Sequence, residues 1–107
     1  MSRVAQLRSA KPELFADLLL FPRRPGGRRL PIRLGWGCPC CVTLSTNPVE
    51  GWDGYPLLGD HEMELGEFRQ GVGFVFFAGQ QAADLMRAAG KFYLWESVFI
   101  GEATVVG

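Results

Sequence analysis

Three thiols stand within four positions, Cys38-Pro39-Cys40-Cys41, and a single imidazole, His61, follows downstream. Thiolate and imidazole are ligands that zinc favours, and a structural zinc site needs four of them in a tetrahedron. Cys38, Cys40, Cys41 and His61 therefore form one candidate metal set, with zinc as the ion. The spacing argues against it. Cys38 and Cys41 have Cys-x-x-Cys spacing, but no second such pair exists to complete a set of four. On an extended chain Cys38 and Cys40 would face one side and Cys41 the other. A Cys–His nucleophile built from Cys40 or Cys41 with His61 and Asp60 needs its base within hydrogen-bond reach, and nothing in the spacing supplies that. The expectation is that the cysteines are small buried hydrophobes, that the chain is not an enzyme, and that it carries no resident cofactor.

A second group is basic. Arg23, Arg24, Arg28 and Arg29 surround the turn Pro25-Gly26-Gly27. Guanidinium groups so placed suit a phosphate or a carboxylate. Large aromatics form a third group. Trp36, Trp52, Tyr55 and Trp95 would make a contact patch if they cluster outside, although Trp36 and Trp95 are expected to fill the core. Trp52 and Tyr55 lie in residues 47–60, a stretch punctuated by Pro48, Gly51, Gly54, Pro56 and Gly59. That punctuation predicts a long loop, of the kind that often carries function. The loop is expected to fold back over a barrel end. Alternatively, Trp52 and Tyr55 line a small-molecule pocket there.

The elements that must position these groups are short. Residues 1–12 read as a polar leader with loose helical character, ended by Lys11-Pro12. Residues 13–21 carry an apolar run that predicts a strand buried at one end. Residues 22–29 are a turn-rich loop. Residues 30–34 alternate weakly, with Pro31 suited to a strand start or an edge, and Gly35 and Gly37 around Trp36 predict a bend. Residues 40–46 read as a strand, and residues 62–65 as a half-exposed one. A turn is expected over 66–71, and the best strand over 72–78. The period then changes. Ala82, Leu85, Met86 and Ala89 fall at helical spacing and predict a short helix over residues 80–89 with one apolar stripe, stopped by Gly90. Residues 91–95 and 99–106 predict a final strand hairpin.

The totals agree with a small β domain. At 107 residues and 48% hydrophobic content, the chain is long enough for one domain with a core of its own. Net charge is zero but unevenly spread. Residues 1–33 hold eight basic and two acidic side chains, a net +6, and the remainder balances this with −6. Such a split marks one face for an anionic partner unless the halves neutralise each other across the fold. No apolar run reaches the length of a membrane span. Glu13 and Asp17 interrupt the run nearest the N-terminus, which argues against a secretory signal. Three clustered cysteines, an odd number, do not form a disulfide framework, so a reducing cytoplasm is the expected compartment.

The order of several short motifs resembles the C-terminal β-barrel domain of elongation factor Tu, here standing alone over residues 13–107. Gly26-Gly27-Arg28-Arg29-Leu30-Pro31 is similar to the family's Gly-Gly-Arg-His-Thr-Pro, with Arg29 and Leu30 departing from it. Gly35-Trp36 stands where the family has Gly-Tyr. Lys91-Phe92-Tyr93-Leu94-Trp95-Glu96, with Ile100-Gly101 after it, parallels a Phe-x-x-Arg-Glu hairpin followed by Val-Gly. The phosphate-cradling loop of nucleotide hydrolases is absent from the sequence. The resemblance implies a single antiparallel barrel of roughly six strands; the helix of residues 80–89, expected between the fifth and sixth, stands as an insertion where the family has a shorter link. It implies a non-catalytic module that docks a protein or an RNA, with Arg29 and Glu96 at the family's partner-facing positions and Arg28 a candidate beside them. The acids that dominate residues 34–107 argue against RNA, whose binding surfaces are basic. An unidentified protein is the expected partner, joined through these three residues with Trp52 and Tyr55.

Overall fold

The apolar run before Pro22 alternates strictly in the folded chain. The computed structural model describes residues 2–107. In β1 (Leu14–Leu20), Leu14, Ala16, Leu18 and Leu20 are buried, while Phe15 faces outward and is 44% exposed. This is the period-2 signature of a strand with one face on a core. Five more strands follow: β2 (Cys38–Cys41), β3 (Trp52–Leu57), β4 (Phe68–Phe76), β5 (Lys91–Trp95) and β6 (Phe99–Val105). All neighbours are antiparallel, and the sheet closes in the order β1-β4-β3-β2-β5-β6. The expected all-β, six-stranded antiparallel barrel is therefore the architecture of the chain. Closure gives every strand a neighbour on both sides.

In this order β1 lies across the barrel from β2, and β4 lies across from β5. The connections between them must cross the two barrel ends, and each end is sealed by its connection. One end is covered by α2 (Gln80–Ala89), which turns Ala82, Ala83 and Met86 into the core. Gly90 ends this helix in the left-handed region and donates its N–H to the Met86 carbonyl. The helix has the predicted bounds, but it joins the fourth strand to the fifth rather than the fifth to the sixth. Its apolar stripe also turns by a residue. Ala83 is buried, whereas Leu85 and Ala89 are exposed. The other end is closed by residues 21–37 and 58–67. Ile32 and Met63 exchange two backbone hydrogen bonds of 3.0 and 2.8 Å, and both side chains are fully buried. The strands expected over 30–34 and 62–65 reduce to this single rung.

Inside, Phe74 and Phe76 from β4 meet Phe92 from the facing β5. Ring centroids are 5.2 Å apart for Phe74–Phe92 and 6.1 Å for Phe76–Phe92, both edge-to-face. Aromatic side chains thus fill the middle of the barrel in a favoured geometry. Other boundaries shift. The strand expected over 40–46 is the shorter β2, and β4 begins within the expected 66–71 turn. Part of the expected 47–60 loop is β3. Residues 3–8 form α1 (Arg3–Arg8), which rests on the barrel wall through Leu7. Within the expected leader, this segment is thus docked. Among the described residues no helix is long and apolar enough to cross a membrane.

Candidate functional site

The loop after β1 carries the basic cluster, and one of its four arginines organises the rest. Arg28 donates through Nε to the Leu30 carbonyl at 2.7 Å and through one terminal nitrogen to the Pro31 carbonyl at 3.1 Å. Its other terminal nitrogen reaches both carboxylate oxygens of Glu96, at 3.0 and 2.8 Å. Trp36 Nε1 donates to the same carboxylate at 3.0 Å, and the guanidinium lies 5.3 Å from the Trp36 ring. Glu96 begins the β5–β6 turn, so the node ties the first long loop to the last hairpin. The Arg28 side chain is 18% exposed. Its donors serve the protein itself: Arg28 and Glu96, both singled out as partner-facing, are bound to each other. Charge-assisted hydrogen bonds such as these are stronger than neutral ones.

The remaining loop arginines are differently placed. Arg23 and Arg29 are exposed, and among the described residues neither has a carboxylate partner. Arg24 also lacks one. Its guanidinium donates to the Phe99 carbonyl and lies 5.3 Å from the Phe21 ring. By contrast, Arg8, Arg28 and Arg33 pair with Asp60, Glu96 and Glu62, so much of the charge split is neutralised across the fold. Of the five cations without a carboxylate partner among the described residues, three lie on this one short loop; the others are Arg3 and Lys11.

Next to that loop, on the outer wall of β5 and β6, stand three aromatics. Trp95 and Phe99 are cross-strand partners with centroids 4.8 Å apart, and Tyr93 sits 6.1 Å from Phe99. All three are half-buried. Trp95 is therefore on the outer wall, not in the core. The sequence signal for this strip was the alternation of positions 91, 93 and 95 on one strand face. Its pairing with Phe99 required the register.

Trp52 and Tyr55 do not combine into a pocket lining. They are three residues apart on β3 and so face opposite sides. Trp52 packs inward on the core near the α2 end, while Tyr55 points outward beneath the Arg3 guanidinium, 5.2 Å away.

The structure does not bring the three thiols and His61 together. Among the described residues no group of three or more His, Cys, Asp or Glu is placed to hold an ion. Cys38 and Cys40 point into the core, and Cys41 is buried on the outer side against Gly51. His61 is exposed. Burial pushes the Cys40 thiol well above its ordinary range, with Cys38 beside it adding to the effect, and burial also raises Cys41. Thiols held in the protonated form are poor nucleophiles and poor ligands. Two carboxyls elsewhere shift downward. A hydrogen bond from Arg8 holds Asp60 below the usual carboxylate range, and the Glu64 backbone N–H does the same for Glu67.

No known protein family, characterised protein or solved structure shows significant similarity to this chain.

Proposed function

We propose that this protein is a non-catalytic binding module, similar in kind to a translation-factor barrel domain, which docks a protein partner through its arginine loop. The observation that supports this most is the unequal treatment of four neighbouring arginines. Arg28 is locked between two carbonyls and Glu96, and this pins the loop. Arg23, Arg24 and Arg29 are left without acidic partners on that pinned loop. Three uncompensated guanidiniums on a preorganised support favour an anionic partner and lose little conformational entropy on binding it. The interior offers no comparable opportunity, because aromatic rings occupy the middle of the barrel. The buried, unpaired thiols fit a reducing compartment such as the cytoplasm.

The test is affinity capture from native lysate with the wild-type chain and with Arg23→Glu/Arg29→Glu. The expected result is a protein retained by the wild type, lost by the variant and insensitive to nuclease. Identical capture by both proteins would overturn the assignment to this loop. A catalysed reaction lost on changing Cys38, Cys40 or Cys41 would overturn the non-catalytic reading.

A further inference from the structure

Resting on that reading, we propose that the arginine loop and the aromatic strip form one continuous site for a short acidic peptide segment bearing an apolar anchor residue. The link is Arg24. Its guanidinium bonds the Phe99 carbonyl, so the basic loop is fastened to the start of β6, where Phe99 packs on Trp95. Glu96, the residue after Trp95, is clamped by Arg28 and Trp36. The two halves of the site therefore hold a fixed relation. Carboxylates of the peptide meet Arg23, Arg24 and Arg29, and its apolar side chain lies over the half-buried rings of Trp95, Phe99 and Tyr93.

Charge decides between classes of anion. Outside residues 1–33 every one of the three basic side chains is already paired with an acid, so that part of the chain offers a polyanion no free cation. Glu102 stands directly opposite Tyr93 in the β5–β6 ladder. A nucleic acid needs a long basic track to neutralise successive phosphates. Here three of the five cations without a carboxylate partner among the described residues, Arg23, Arg24 and Arg29, sit on one loop, while Arg3 and Lys11 lie on the N-terminal segment, so the charge makes a compact patch and not a track. A segment with a few carboxylates matches the size of the basic patch. Carboxylates also take the forked geometry of arginine well, and an aliphatic or aromatic anchor uses rings that a phosphodiester backbone would leave uncovered.

The experiment uses the whole chain and a labelled twelve-residue peptide of alternating Glu and Ser with one central Leu. Controls carry Lys for Glu or Ser for Leu, and a twelve-nucleotide uridylate supplies the nucleic-acid arm. Fluorescence anisotropy reads affinity, and the indole N–H signals of Trp95 and Trp52 read location. The acidic peptide is expected to bind and to weaken with added salt. The Arg23→Glu/Arg29→Glu variant should bind it about tenfold or more weakly. Loss of the central Leu should weaken it about tenfold. The Trp95 signal should move while Trp52, at the opposite barrel end, stays fixed. Arginine-dependent binding of the uridylate in preference to the peptide would overturn the peptide assignment and leave a binding module in place. Peptide binding that leaves Trp95 unmoved would overturn the two-part site. Failure of both probes, with lysate capture unchanged by the double variant, would overturn the binding reading as well.

Discussion

Removing the Glu96 carboxylate should show how much the barrel depends on the node it completes. In Glu96→Ala, Arg28 loses both of its bonds to carboxylate oxygens and keeps only the Leu30 and Pro31 carbonyls. Trp36 Nε1 loses its acceptor. A fully exposed pair would contribute roughly 0–1 kcal/mol. Stranding one charge of a fully buried pair costs about 3–5 kcal/mol. With side-chain exposures of 18% for Arg28 and 36% for Glu96, this pair lies between those limits. The ion pair and the indole bond together should contribute about 2 kcal/mol. For a domain of this size that lowers Tm by about 10 °C. The control is Glu62→Ala, which breaks a 3.9 Å pair to Arg33 whose side chains are 78% and 46% exposed. It should change stability by less than about 0.5 kcal/mol. Thermal and urea unfolding of both variants, followed by circular dichroism, measure the difference. If Glu96→Ala unfolds with the wild type, or if both variants shift alike, the node does not hold the loop.

Three other perturbations read different parts of the molecule. Gly54→Ala places a Cβ 2.7 Å from Cys40 Sγ and 2.9 Å from the Phe76 ring, and should destabilise the barrel by about 1–3 kcal/mol in urea unfolding; wild-type stability would show that the core yields there. The native thiols should react slowly with a thiol reagent at mildly alkaline pH, because all three are buried and burial raises Cys40 and Cys41; fast stoichiometric labelling before unfolding, or a bound metal lost with a triple Cys→Ser change, would contradict the packing described. Asp60 and Glu67 have lowered pKa values in the folded chain, so their stabilisation is present above their ordinary carboxylate pKa values and is lost as pH falls through the folded ones. Stability should therefore fall below about pH 4, with amides of α1 losing exchange protection first because Arg8 is held by Asp60, and Asp60→Asn should remove that early step.

What could be read from the residues follows from how local each signal is. The helix over Gln80–Ala89 and the strand over Lys91–Trp95 were legible because the change of hydrophobic period and Gly90 lie within a few residues of each other. Trp52–Leu57 was not legible. Gly54 and Pro56 read as turn residues, yet both face inward on β3. Gly54 lets Cys40 and Phe76 approach closely. Pro56 is tolerated because β2 begins opposite Gly54, leaving Pro56 a ladder partner only on β4. At the site, Arg28 and Glu96 were both singled out, but their being each other's partner is a contact across sixty-eight positions that no local pattern encodes. Leu85 and Ala89 fit the helical stripe as well as Ala83 does, and only the angle at which the helix meets the barrel separates them.

The partners of β1 carry a consequence for synthesis. Leu14–Leu20 is flanked in the finished sheet by β4 and β6, the latter spanning Phe99–Val105. During translation the most apolar early stretch of the chain must wait, at roughly 5–20 residues per second, for several seconds before its second neighbour exists. Until then its backbone offers an unmatched ribbon to any other nascent polypeptide. A ribosome stalled ahead of the last strand would leave both β1 and β5 open on that side, and such fragments should be among the first substrates of chaperones and proteases.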